Sequence, residues 1–179
     1  ATLALVCTLS VFNGFQKSVA SFFTSLDAEL KIVSTSGKTF PSESALLTEL
    51  GTLSGVDLIT TTLEENAMVK YKEQQTMITL KGVDDNFHRV TSINTLLYGQ
   101  GNFILYDGVV NYGIMGGELA STLSTGINHI QPLEVFAPKP GAKINMSNPS
   151  TSVNTSYLYS PGVVFSVGQQ KYDGGYILC

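Results

Sequence analysis

The residues that could do chemistry are few and scattered. His88 and His129 are the only imidazoles in the 179 residues, and neither is paired with a second ligand in a metal-site pattern, so no metal is expected. Glu64-Glu65 and Asp84-Asp85 are adjacent carboxylates. On a strand such neighbours point to opposite faces, which makes them solvated charges rather than an acid and base sharing one substrate. Ser36-Gly37-Lys38-Thr39 has the lysine and hydroxyl of a phosphate-gripping loop, but the first glycine of that motif falls on Ile32. Without it the amides cannot fold around a phosphate, and a plain turn is expected. Gly99-Gln100-Gly101, and Gly113 with Gly116-Gly117, carry parts of a dinucleotide loop without its spacing and are read as turn glycines. No Gly-x-Ser-x-Gly elbow occurs. We therefore expect no catalytic centre and no bound cofactor.

Composition narrows the classes further. Charged residues are 13% of the chain, with ten basic against fourteen acidic and a net charge of −4. Mean hydropathy is positive, at +0.17. No Lys/Arg cluster exists to neutralise a phosphate backbone, so nucleic acid is not an expected partner. The two cysteines are Cys7, in an apolar run, and Cys179, the last residue. No bridge is expected between them, and they carry no redox reading. Asn154-Thr155-Ser156 matches a glycosylation sequon, a match too frequent by chance to be given weight. The length suits one domain, or two small ones sharing a core.

The elements begin with a helix. From Leu3 to Phe12 nearly every residue is apolar, and the apolar positions then fall at Phe12, Phe15, Val19, Phe22 and Leu26. That spacing is one stripe of a helix. The other faces carry Asn13, Gln16, Lys17, Ser18, Ser21, Thr24 and Ser25. A helix apolar all round that becomes two-faced at Ser10 to Gly14 has changed solvent, so this stretch reads as the exit of a helix from a bilayer. A span needs about 20 apolar residues, and only about half that number precede the switch. No basic stretch or small-residue cleavage site marks a signal peptide. The expectation is a chain cut within a span, and the competing reading is an amphipathic helix buried in a soluble domain.

Beyond it, Leu30 to Val33 is β-prone. Pro41 and Ser42 open a helix over 41–54 with Leu46, Leu47, Leu50 and Leu53 on one face and Gly55 at its end. Val56 to Ile59 reads as a strand, and Ala67 to Tyr71 with Thr76 to Leu80 as a hairpin around Lys72-Glu73-Gln74-Gln75. This order suggests a sheet with a helix on one face. Lys81 to Asp85 breaks the pattern. Asn86 to Val90 reads as a helical turn, and Ile93 to Tyr98 as helix or strand. Asp107-Gly108 opens a strand over Val109 to Met115, and Gly116-Gly117 turns it into a helix at about 117–124. Strands are expected at Leu133 to Ala137, Val163 to Val167 and Tyr176 to Leu178. The stretch from Pro138 to Ser156 has no periodicity and reads as an exposed loop or long hairpin. Within it, Pro138, Lys139, Pro140, Gly141, Lys143, Ile144 and Met146 form a candidate partner-binding loop, apolar side chains flanked by lysines on a backbone stiffened by proline. A plain surface loop is the competing reading.

Ser10-Val11-Phe12-Asn13-Gly14-Phe15 resembles the end of the first membrane helix in the lipoprotein-releasing permeases LolC and LolE. Asp27-Ala28-Glu29-Leu30-Lys31-Ile32 resembles the first strand of their periplasmic domain, Gly82-Val83-Asp84 their Gly-(Val/Ile)-Asp, and Gly116 to Leu123 their Gly-x-x-Leu-Ala-x-x-Leu helix. Together the pieces run along nearly the whole chain and are similar to the wider group of MacB-, FtsX- and Lol-type permease subunits. The resemblance implies an α+β periplasmic core domain of the MacB type with two α/β lobes after a membrane-exit helix. The helix end and stalk would be 1–26, the Porter-like lobe 27–82 with 158–179, and the Sabre-like insertion 83–157 with the proline-containing loop 138–149.

It further implies a non-enzymatic subunit in the inner membrane of a Gram-negative-type bacterium, this domain lying in the periplasm. Its partners would be a cytoplasmic ATPase subunit that binds the ATP, a second permease subunit or copy, a lipoprotein, and a periplasmic lipoprotein carrier gripped by the loop. Phe12, Phe15, Val19, Phe22 and Leu26 would be the packed stripe that passes motion into the lobes. MacB-like efflux and FtsX-like signalling permeases are the alternatives of the same fold. A soluble secreted carbohydrate- or peptide-binding module is the alternative of another class.

Overall fold

The computed structural model describes residues 2–24, 26–28, 30–41, 45–139 and 152–179, with the backbone alone for 17–24. Among them are five helices and eight strands, a mixed α+β architecture with a sheet at its centre. Helix α1 (Thr2–Thr24) is 23 residues long, about 35 Å at the usual rise. No described helix is long and apolar enough to cross a membrane, because polar residues enter α1 from Ser10 onward.

The sheet is built on the hairpin β1 (Thr62–Tyr71) and β2 (Gln74–Val83). Alternation along both strands buries Ala67, Val69, Tyr71 and Ile78 on one face. The loop is the two residues Lys72-Glu73, with Lys72 in the left-handed region at φ 54°. The strands run farther than their apolar alternation suggests. Lys81-Gly82-Val83, read from sequence as a break, is strand, since Glu64 and Leu63 on β1 stand opposite Lys81 and Gly82.

Further strands are β3 (Leu97–Gly99), β4 (Ile114–Met115), β5 (Leu133–Pro138), β6 (Val153–Leu158), β7 (Val163–Phe165) and β8 (Tyr176–Leu178). Six of them form one sheet in the order β4-β8-β2-β1-β5-β6, antiparallel except where β2 meets β8. Tyr159, just after β6, bridges in parallel to Tyr112, just before β4, with Gly113 N–H donating to the Tyr159 carbonyl at 2.9 Å. The two edges thus meet at one end, and the sheet curls into a partly closed barrel. This sheet draws strands from 27–82, 83–157 and 158–179 alike.

The curl encloses one core, with Val69, Ile78, Met115, Leu133, Val135, Leu158 and Ile177 packed with Leu119 and Leu123 of helix α4 (Gly117–Thr122) and the residue after it. A second core lies on the outer side of β8 and β4, where Leu26, Phe87, Ile93, Ile114, Phe165, Tyr176 and Leu178 meet. The all-apolar β8 is therefore a strand covered on both faces.

Other segments depart from their sequence pattern. Leu30 to Val33 and Val56 to Ile59 are irregular, since neither has a strand to pair with among the described residues. The helix expected over 41–54 is α2 (Ala45–Leu50), with 42–44 outside the described residues. None of its side chains is buried, so its leucine face is not a core face. The strand expected from Val109 shortens to β4, because Asp107 holds the preceding residues in a turn through Val109 and Val110 N–H. Ile93 to Tyr98 is both alternatives in sequence, a 3-10 turn (Ile93–Leu96) leading into β3. The helical turn at Asn86 to Val90 is α3 (Phe87–Val90), and α5 (Gln170–Asp173) precedes the last strand.

Candidate functional site

The predicted coupling stripe divides into three parts. Phe12 and Phe15 are 56% and 65% exposed within this chain. Val19 and Phe22 lie on α1 where side chains are outside the described residues. Leu26 is fully packed in the second core. The exposure of α1 is not confined to a face: Leu3, Leu5, Val6, Leu9, Val11, Phe12 and Phe15 are all exposed.

Where α1 joins the body, a charge is buried. Lys81 on β2 alternates with Leu80, which points to the barrel core, and so faces the other side, beside Leu26 and Phe87. Its side chain is 3% exposed. The ammonium donates to the Leu26 carbonyl at 3.1 Å and to Asp27 Oδ1 at 3.1 Å, pairs with Glu64 Oε1 at 3.2 Å, and sits 5.5 Å from the Phe87 ring centroid. Three donors meet three acceptors, which is what an ammonium needs to leave water. Desolvating it costs several kcal/mol unless compensated. Glu64 and Asp27 are only partly buried, so they supply charge without both being desolvated in full. Sequence reading missed this centre. The signal was available, since a two-residue loop at Lys72-Glu73 sets Glu64 opposite Lys81.

Glu65, on the opposite face as adjacent strand residues must be, pairs instead with Lys38 at 2.6 Å. That contact draws Ser36-Gly37-Lys38-Thr39 into an exposed surface link. Asp84 ties the stretch before β1 to the end of β2: it accepts from Thr60, from Thr61 N–H at 2.8 Å and from Asn86 N–H at 3.1 Å. Burial alone would raise its pKa, but these hydrogen bonds outweigh it and hold the carboxyl below its usual value.

The two histidines line separate clefts. His88 lies tilted against Phe103, ring centroids 5.8 Å apart, in a cleft of about 450 Å³ with Asn94 and Asn102. His129 lines one of about 340 Å³ with Tyr71, Lys72, Ser124, Asn128 and Gln131. His129 is 7% exposed. Its Nδ1 is 2.7 Å from the Gln131 carbonyl, which can only accept, so Nδ1 carries the proton. Nε2 is buried without a partner among the described residues, and burial pushes the imidazole below its ordinary pKa. Among the described residues no three His, Cys, Asp or Glu side chains are grouped to hold a metal.

The glycines read as turn residues have a packing reason. A Cβ at Gly101 would overlap the Pro161 carbonyl, and one at Gly116 the Asp173 carbonyl. Of the candidate partner loop, Pro138 and Lys139 are exposed at the end of β5, where Lys139 N–H donates to the Ser152 carbonyl at 3.0 Å. Pro140, Gly141, Lys143, Ile144 and Met146 lie outside the described residues. Compared with known proteins, the chain matches no family model and no curated protein.

Proposed function

We propose that this chain is the extracytoplasmic domain of an ABC transporter permease subunit of the lipoprotein-releasing kind, a part that is moved rather than one that catalyses. The observation that carries this reading is α1, which exposes apolar side chains on every face from Leu3 to Phe15. In water such a helix needs cover on all sides, whereas hydrocarbon provides it. The polar switch at Ser10 to Gly14 and the motif order along the chain support the same reading. In this proposal ATP is hydrolysed by a cytoplasmic subunit, and a second permease subunit, a lipoprotein and its carrier are the partners. The body answers motion of the helix.

The native cysteines test it. Cys7 is exposed on α1, while burial raises the Cys179 thiol to about 11. At pH 8 a maleimide therefore reports Cys7. Phospholipid vesicles are expected to slow modification of Cys7 strongly, and an unchanged rate with vesicles present would count against the proposal.

A second reading, a secreted binding module, draws on the His88 cleft, where an aromatic ring and two amides stand together as they do where sugars or peptides bind. It requires Cys7 to be indifferent to lipid, so the same measurement separates the two.

A further inference from the structure

The side chains of α1 described from Thr2 to Gln16 are exposed, whereas Leu26 and Asp27, the first described residues beyond its end, are held by the body in three ways. The Leu26 side chain is in the second core, its carbonyl accepts from Lys81, and the Asp27 carboxylate pairs with Lys81. Lys81 also holds Glu64 on the neighbouring strand, and its own backbone carbonyl accepts from Cys179 N–H at 3.1 Å beyond β8. One side chain thus joins the segment beyond α1 to β1, and its backbone joins β2 to β8 at the middle of the sheet.

We propose that Lys81 is the positioning residue that fastens the N-terminal helix to the sheet, so that displacement of the helix is delivered to the β1–β2 hairpin through the Leu26 carbonyl and Asp27. This rests on reading α1 as the driven element, but the joint itself can be measured without lipid. A packed apolar contact can slide. An ammonium gripping a backbone carbonyl and two carboxylates out of water has one geometry, and leaving it exposes a buried charge without partners. A methionine at the same place would keep the stem volume and lose the grip.

The experiment is a spin-label distance measurement on the 179-residue chain. One label is on native Cys7, and the other on Met77→Cys, which is exposed on β2. The unaltered joint should give a narrow distance distribution. Lys81→Met should broaden it about two-fold while the melting transition holds, because one local tie is released without unfolding the core, and Lys81→Arg should restore it. A distribution that Lys81→Met leaves unchanged overturns the proposal, as does one already as broad before substitution. Should Lys81→Met fail to fold, Asp27→Asn gives the same readout, with Glu65→Gln on the opposite face as control, and a narrow distribution in Asp27→Asn is equally contrary. Cys7 shielding by vesicles combined with an unchanged distribution would remove the joint and leave the membrane reading standing. The reverse pair of results would remove the membrane reading alone.

Discussion

Lys81 and His129 stand near opposite ends of the same hairpin, both buried, and the fold treats them in opposite ways. Lys81 sits in the register pair with Glu64 and has an acceptor for each of its protons. His129 packs edge-on against Tyr71 beside the hairpin loop and leaves one ring nitrogen with no partner. The first end spends a desolvation cost to hold a charge in a fixed place. The second avoids a charge by keeping its imidazole neutral. The difference teaches where the molecule is committed to one geometry. A satisfied network resists rearrangement, and a half-satisfied one tolerates it.

Removing the acceptors should show the commitment of the Lys81 end most sharply. Asp27→Asn with Glu64→Gln leaves Lys81 buried without a countercharge and is expected to lower unfolding free energy by about 3 kcal/mol in a urea titration. Lys81→Met, which leaves the two part-exposed carboxylates to water, should stay within about 1 kcal/mol of the parent. Equal losses in both would mean that an unpaired buried charge is not what the network guards against.

Acid comes next, and it should act on the other end. The unfolded chain binds a proton at His129 near the ordinary value of 6.5, while the folded chain resists it because burial lowers the folded pKa. More protons are bound unfolded than folded in that window, so stability rises with pH through it and is lost as pH falls below 6.5. His129→Gln should flatten this slope in chemical unfolding measured across that range, and Lys81→Met should not. A slope untouched by His129→Gln would place the acid sensitivity elsewhere.

The smallest effect is at the rim of the His129 cleft. Lys72 and Ser124, the non-glycine residues with positive φ among those described, both line it. Lys72→Gly is expected to raise stability by about 0.5 kcal/mol, the left-handed penalty relieved less the entropy that glycine adds to the unfolded chain. A loss on that substitution would mean that the contact of the Lys72 ammonium with the Tyr71 ring outweighs the strain.

What the sequence made legible follows where local pattern and tertiary partner agree. The hairpin could be read because Ala67, Val69 and Tyr71 alternate with residues of the other face, and the α4 turn because Gly116-Gly117 precede Leu119 and Leu123, four residues apart. Leu30 to Val33 has the composition of a strand and no neighbour to pair with among the described residues, a fact no local pattern contains. Leu46, Leu47, Leu50 and Leu53 make a face, but a face is a core only if something lies against it. Lys81 escaped notice for a related reason. A charged residue after an apolar run reads as an end, and only the pairing register shows that it continues the strand beside a glutamate. Of the described side chains of the predicted stripe, Leu26 is packed in the second core, while Phe12 and Phe15 are exposed.

The central claim is that α1 is surrounded by lipid rather than by protein, and a nitroxide scan along residues 3–16 in phospholipid vesicles tests it most directly. The account predicts collision with dissolved oxygen at every position from Leu3 to Leu9, with no helical periodicity, and rising access of a water-soluble relaxant from Ser10 to Gly14. Oxygen access that rises and falls with a 3.6-residue period across Leu3 to Leu9, one face shielded throughout, would contradict it and identify α1 as a helix packed on protein.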